Sequence, residues 1–273
     1  MVLSDNDKQG RAGVLAGLAA LGAWALAGPV CAQSNVLRDA LTGRRPAQER
    51  NLTAPLVAQY RADSGPSFIV DRSEARGLYL KFDDQVEVWA LRPTPGPRGD
   101  IIYKNDLGEP MLRATRVGGL TLFTDEQPQG SAAAVSGAAA PLRPPHIAGP
   151  NALLQVFAQA SARVSRAAQR LIPFEAEEVP AGAEPLFADS ANLTAAAFVA
   201  IASEEGGRAK VGRISRIRVQ AGTGPGATLV RETRPRAPGA GPADQVLQIN
   251  VAPLQGYAGR PSSGRIAGVI SKR

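Results

Sequence analysis

Hydrophobic and polar residues alternate with a period of two over residues 67–124, and short turn sequences interrupt the alternation at regular intervals. The clearest example is LYLKF, the turn DDQ and then VEVWAL, where Leu78, Leu80 and Phe82 share one face of an extended chain. Period-two alternation broken by short turns is typical of antiparallel hairpins. We therefore predict paired strands rather than helices in this part of the chain.

Residues 99–126 repeat the pattern and concentrate charged side chains. The strand-like segments IIY, MLRATR and LTLFT are separated by a turn that contains Gly108 and by the pair GG. Asp106 and Glu109 then lie at a hairpin tip, where carboxylates are ordinary solvated turn formers. Acid–base catalysis is the alternative interpretation of these two residues. The strands together predict an antiparallel β-meander over residues 56–126.

The composition changes after the meander. Residues 127–148 are rich in Ala, Gly and Pro, which predicts a flexible linker. Apolar residues at steps of three and four then predict an amphipathic helix over residues 151–171 and a shorter helix over residues 190–205. Alternating segments such as VLQINVA predict strands later in the chain. The fold class predicted is α+β: an N-terminal antiparallel β-meander, then central amphipathic helices and C-terminal β-strands within residues 149–273.

The first 32 residues have the pattern of a secretory signal peptide. Two basic residues precede an apolar run over residues 12–28, and the segment VCA follows. This pattern predicts cleavage between Ala32 and Gln33, then a flexible leader over residues 33–55. The expected location is periplasmic or secreted, with no transmembrane helix after processing. An uncleaved anchor and lipidation at Cys31 are the alternatives.

The chain carries a formal net charge of +7 and a sequence pI of about 10.1. Arg163, Arg166 and Arg170 are spaced so that they project from one face of the predicted helix, and arginine forks bind phosphate or carboxylate groups. The expected partner is an anionic envelope component, such as a lipid headgroup or a glycan, or an envelope protein; nucleic acid is not expected. The alternative is a solvated helix face that pairs with the glutamates of residues 175–178.

Cys31 and His146 are the only cysteine and histidine of the chain. Zinc, haem and iron–sulfur sites depend on such ligands, so no cofactor is expected. Carboxylates remain for catalysis, and Asp83 or Asp84 with Asp100 could act as the acid and base of a glycosidase. The primary prediction is a non-enzymatic binding or interaction module. The alternative is a carboxylate-dependent hydrolase that acts on an envelope glycan or peptide.

Several segments resemble a known family of sequences. FIVDRS, the stretch from KFDDQ to LFT, and GRPSS resemble an uncharacterised family of exported alphaproteobacterial proteins, a domain of unknown function. Residues 97–124 are the most specific part of this resemblance, which covers most of the chain after the signal peptide. It implies a bacterial envelope or periplasmic location. It implies no activity and no catalytic residues.

Overall fold

Eight antiparallel strands close into a barrel in the computed structural model, which describes residues 55–73, 77–144, 146–147, 149–231 and 245–272. Each strand pairs with the next one along the chain, and the last strand pairs with the first. The barrel is therefore of the up-and-down type. Its strands are β1 (Val57–Ala62), β2 (Ser67–Asp71), β3 (Leu78–Phe82), β4 (Val88–Pro95), β5 (Ile101–Lys104), β6 (Pro110–Ala114), β7 (Leu120–Thr124) and β8 (Gln127–Ala138).

The interior of the barrel is packed with apolar side chains. Phe68, Leu80, Leu112 and Leu122 are fully buried there. Leu112 lies opposite Leu122 across the β6–β7 pair, and the rings of Phe68 and Tyr60 stack with centroids 5.8 Å apart. An eight-stranded barrel is just wide enough for side chains to fill its centre. The middle of this barrel is consequently a core rather than a chamber for a ligand.

The predicted α+β fold with an open meander over residues 56–126 is wrong, because a further strand closes the sheet. Gln127–Ala138 forms β8, although its composition predicted a flexible linker over residues 127–148. Ala133 of this strand pairs with Ala62 of β1 and packs against the barrel core. Small side chains favour strands weakly, but hydrogen bonding to a strand on each side determines the backbone here. The result is a barrel-dominated fold.

The second half of the chain forms a mixed sheet covered by helices. The sheet has the order β11-β12-β10-β9, in which β9, β10 and β12 are parallel and β11 is antiparallel to β12. The helices and the sheet share one apolar core, and this half lies in the same compact unit as the barrel. Its elements are α1 (Gly149–Ala168), β9 (Phe174–Glu177), α2 (Glu184–Ser203), α3 (Gly207–Val211), β10 (Ile214–Ala221), β11 (Gly226–Arg231), β12 (Gln245–Val251), a short 3₁₀ segment (Pro253–Gly259) and α4 (Ser263–Ser271).

The helices differ from the predicted ones in extent and number. The helix predicted over residues 151–171 is α1, which ends at Ala168, and the helix predicted over residues 190–205 is α2, which begins at Glu184. Helix α4 follows the last strand and was not predicted. By length and composition α2 could cross a membrane, which is weak support for a span when most of the helix is buried. Phe187 and Phe198 of α2 are fully buried in the core of the second half.

Candidate functional site

Four turns of the barrel meet at one end, which we call the barrel mouth. In an up-and-down barrel every second turn lies at the same end. The mouth is therefore formed by the β1–β2, β3–β4, β5–β6 and β7–β8 turns, which cover residues 63–66, 83–87, 105–109 and 125–126. The β4–β5 and β6–β7 connections lie at the opposite end. Residues distant in sequence are brought together at the mouth by this alternation.

A pocket of about 650 Å³ occupies the barrel mouth. This volume lies within the range of about 300–1,000 Å³ that is usual for small-molecule sites, and barrel mouths are frequent positions for such sites. Its apolar lining is supplied by Phe82, Trp89, Met111 and Phe123. Its acidic lining is supplied by four carboxylates, Asp84, Glu109, Asp125 and Glu126. None of the described residues that line the pocket is Lys, Arg or His.

The β5–β6 turn holds one of these carboxylates in place. Asn105 is buried, and its side-chain oxygen accepts hydrogen bonds from the backbone N–H groups of Leu107 (3.0 Å) and Glu109 (2.9 Å). The Asn105 amide also donates to the Glu109 Oε2 atom at 2.8 Å. Gly108 has a positive φ of 88°, which a side chain would disfavour. The Glu109 carboxylate is thus oriented at the rim by a turn that depends on Asn105 and Gly108.

The same end of the barrel contacts helix α4 through carboxylates that do not line the pocket. The Glu87 carboxylate accepts hydrogen bonds from the Ser263 N–H (3.0 Å) and from the Ser263 hydroxyl. Asp106 Oδ2 accepts from the Ser262 N–H (3.0 Å) and from Arg265 Nε (3.0 Å). Carboxylates are stabilised at helix N-termini, where backbone N–H groups lack partners within the helix. We call this contact between the barrel and the second half the joint.

Arg260 lies at the centre of the joint. Only 4% of this residue is exposed. Its guanidinium group donates to the carbonyl oxygen of Val88 at 2.8 Å and to the Asp189 carboxylate of α2. It also lies 5.2 Å from the ring centroid of Tyr257, which contacts Tyr79 edge-on at 5.4 Å. One buried cation therefore connects β4, α2 and the 3₁₀ segment.

Burial raises the pKa of two groups in the joint. The pKa of Glu87 is raised above its ordinary value, because loss of water around the carboxylate outweighs the hydrogen bonds from Ser263 that lower it. Burial also raises the pKa of Tyr257 to about 12, so this phenol remains neutral at physiological pH. Glu87 and Tyr257 make their contacts within the joint, and neither of them lines the mouth pocket.

The structure separates the carboxylates that the sequence suggested as a glycosidase pair. Asp83 and Asp84 lie in the β3–β4 turn at the mouth, whereas Asp100 precedes β5 at the opposite end. Asp100 accepts a hydrogen bond from Arg113 Nε at 2.7 Å, and this contact lowers the pKa of Asp100. That pairing is therefore wrong. The part of the chain that the structure describes contains no group of three or more His, Cys, Asp or Glu residues arranged to hold a metal ion.

The arginines predicted to bind anions lie on the second half, away from the mouth pocket. Arg163 and Arg166 are exposed on α1, and Arg166 Nε donates to the Ala162 carbonyl oxygen at 3.2 Å. Arg170 follows the end of α1, and its Nη1 donates to the Gly212 carbonyl oxygen at 2.8 Å. Their binding role stays a prediction. The predicted cleavage site at Ala32 and Gln33 lies outside the described residues.

The glutamates considered as partners of those arginines contact other side chains. Glu175 accepts from Arg216 at 3.3 Å, and Glu177 pairs with Arg218 Nε at 3.1 Å. These ion pairs lie across neighbouring strands of the mixed sheet, β9 and β10. Glu175 and Glu177 therefore pair with arginines of β10, although the arginines of α1 lie closer to them in the sequence.

Sequence reasoning did not identify the mouth pocket as a site. Trp89 and Phe123 were assigned only to strands. Glu109 was interpreted as a solvated turn former or an acid–base catalyst, and Asp84 was considered only as a glycosidase partner of Asp100. A usable signal was present, since acidic residues recur in alternate turns of the antiparallel series at Asp84, Glu109 and Glu126. Alternate turns share one end of the sheet, so this recurrence indicates an acidic end.

Comparison with known proteins gives one match. A family described as a domain of unknown function (DUF4908) matches residues 36–270. No curated protein and no solved structure matches the chain significantly. The match covers every strand of the barrel and every helix and strand of the second half except the last residue of α4.

Proposed function

We propose that this chain, which belongs to the DUF4908 family, is a non-enzymatic binding module that holds a small organic cation with an apolar portion at the barrel mouth. The mouth pocket carries the proposal, because it combines a ligand-sized volume, an apolar lining and four carboxylates. The whole chain has a net charge of +7, so the acidity of the pocket is a local feature opposite in sign to the overall charge.

The chemistry of the lining favours a cation over a neutral or anionic ligand. Carboxylates such as Asp125 and Glu126 attract positive charge, and each exposed pair contributes about 0.2–1 kcal/mol. Trp89 and Phe123 can bury the apolar portion of a ligand, and aromatic rings also attract ammonium groups placed over their faces. An anion would be repelled by the same carboxylates without a compensating basic residue in the described lining.

Binding fits the described carboxylates better than hydrolysis does. A general acid needs a raised pKa and a position that faces the substrate. Glu87, whose pKa is raised by burial, faces the joint, where it binds Ser263, and does not line the mouth pocket. The hydrolase alternative therefore cannot use Glu87 as the general acid of the mouth pocket.

The proposal can be tested with Trp89 as a fluorescent reporter. The chain has two tryptophans, so the full chain carrying Trp24→Phe has Trp89 as its single indole. The probes are benzyltrimethylammonium, benzyl alcohol and benzenesulfonate, which share an aromatic ring and differ in charge. We expect saturable changes in emission that are strongest for the cation. No response to any probe would overturn the site, and equal responses to all three would overturn the preference for cations.

Variants of the rim sharpen this test. Asp125→Asn with Glu126→Gln removes two exposed pocket carboxylates and should weaken binding of benzyltrimethylammonium roughly 2- to 30-fold. Asp63→Asn with Asp83→Asn is the matched control, since these two exposed carboxylates lie in mouth turns but do not line the pocket. It should change the affinity much less. An equal effect of the control and of Asp125→Asn with Glu126→Gln would mean that general electrostatics, rather than the pocket, attracts the probe.

We also propose export to the periplasm or the extracellular medium, which the basic, apolar and small-residue pattern of residues 1–32 supports. Protein recovered from the periplasm should have an intact mass that begins at Gln33. Recovery of only full-length or acylated protein in the membrane fraction would contradict cleavage after Ala32.

A second surface, on α1, is proposed to contact an anionic envelope component. Arg163 and Arg166 support it because both are exposed on the same helix. Replacing both with Gln should reduce retention on phosphatidylglycerol vesicles or on a sulfated polysaccharide at low salt; the vesicle and polysaccharide arms separate lipid from glycan. The control is Arg143→Gln with Arg208→Gln, which removes the same charge from exposed positions elsewhere. Equal losses in both double variants would leave only non-specific charge attraction.

A further inference from the structure

A small cavity lies between the barrel and the second half, next to the mouth pocket. Its volume is about 20 Å³, and its lining includes Trp89, Asp106, Arg260 and Ser262. Trp89 lines the mouth pocket as well, so the two spaces share this residue. A site needs about 10–15 Å³ and several polar partners to hold one water molecule. The volume of this cavity is sufficient for one water molecule and little more.

Two buried polar atoms belong to residues that line this cavity. Trp89 Nε1, a donor, and Asp106 Oδ1, an acceptor, are both buried and have no hydrogen-bond partner among the described residues. The other carboxylate oxygen of Asp106 is occupied by Ser262 and Arg265. Leaving such a buried group without a partner costs about 1–3 kcal/mol. A ligand that accepts from one atom and donates to the other would satisfy both.

We infer that the cavity binds a single ordered water molecule that accepts a hydrogen bond from Trp89 Nε1 and donates one to Asp106 Oδ1. Arg92, Arg260 and Asp106 give the lining charges of both signs, which favours a small neutral ligand over an ion. A cation would meet the guanidinium group of Arg260 and the indole N–H, and an anion would meet the carboxylate of Asp106. Water is the small neutral molecule that both donates and accepts. The inference does not depend on the proposed function.

The water gives Asp106 and Trp89 a connection that no direct contact supplies. Asp106 binds the start of α4 through Ser262 and Arg265, while Trp89 forms part of the wall of the mouth pocket. The bridge therefore fixes the indole ring relative to the second half.

Water-selective NMR on the ¹⁵N-labelled full chain tests the inference. The indole N–H signal of Trp89 is assigned by its loss in Trp89→Phe. We expect NOE and ROE cross-peaks of opposite sign between this N–H and water, which identify a bound water with a long residence time. Cross-peaks of the same sign, which indicate proton exchange, or no cross-peak at all, would overturn the assignment.

A variant that fills the cavity provides a second test. Ala258 lines the cavity, and Ala258→Val should displace the water and abolish the cross-peak. The indole signal should remain, which shows that the loss is not due to unfolding. Ala267→Val is the matched control, because Ala267 is partly buried against the core of the second half and does not line the cavity. Persistence of the cross-peak in a folded Ala258→Val protein would place the water elsewhere.

Discussion

Replacing Arg260 by Met should lower the free energy of unfolding by about 3–5 kcal/mol. The Arg260 guanidinium group binds Asp189 and the Val88 carbonyl oxygen and lies over the ring of Tyr257. Met has a similar length and is apolar, so most of the loss should come from the carboxylates of Asp189 and Glu87, left beside an uncharged side chain. The loss would be about a third of the 5–15 kcal/mol that stabilises an ordinary domain.

Urea unfolding followed by far-UV circular dichroism measures this loss. Arg265→Met is the matched control, because Arg265 also pairs across the joint but its side chain is 39% exposed, against 2% for Arg260. An exposed ion pair contributes about 0–1 kcal/mol. Adding Asp189→Asn to Arg260→Met should restore part of the stability by removing an unpaired charge. Equal losses in the two single variants, or no recovery in the double variant, would refute the reasoning.

Three further predictions concern pH, the barrel core and close packing. Because burial raises the pKa of Glu87, the contribution of Glu87 to stability is complete below its ordinary pKa of 4.5 and is lost as the pH rises through the higher pKa of the folded state. The melting temperature of Glu87→Gln should therefore lack this decline between pH 4 and pH 7. The same pH profile in Glu87→Gln and in the unaltered protein would contradict the prediction. Leu122→Ala should lower the free energy of unfolding by about 2–5 kcal/mol, and the partly exposed Leu120→Ala by less, in urea titrations. Equal losses would contradict the difference in burial between these two leucines, which lie on the same face of β7. Gly259→Ala should unfold the protein or shift its melting temperature strongly downward, because its Cβ would overlap a backbone carbonyl oxygen, whereas Gly268→Ala on the exposed face of α4 should be neutral or stabilising.

Strand pairing could be predicted from the sequence only where alternation was strong. Leu78, Leu80 and Phe82 were correctly placed in one strand, since large apolar residues at every second position leave few alternatives. β8 was missed because Ala, Gly and Ser carry little hydrophobic signal. Its conformation depends on β1 and β7, which pair with it from either side, and such long-range pairing has no local signature.

The mouth pocket was also missed because it depends on contacts between residues that are distant in the sequence. Asp84 and Glu126 are separated by four strands in the sequence. Alternation places their turns at the same end of the sheet, but only barrel closure brings them around one pocket. The joint depends on Arg260, which lies in a Gly- and Pro-containing segment without periodicity. By contrast, the amphipathic spacing of α1 was visible in the sequence, because a helix is determined by residues three and four positions apart.

The closure of the barrel by β1 and β8 has a consequence for the order of events during biosynthesis. Ala58 pairs with Ala138, so no closed barrel can exist until the ribosome has passed the last strand. Contacts that are distant in sequence form slowly, because the intervening chain must first be brought together. The barrel can nevertheless complete its own hydrogen bonding before α4 emerges. Glu87 and Asp106 would then remain hydrated until Ser263–Ser271 is translated and docks, so that these carboxylates lose their water only after the barrel strands have been made.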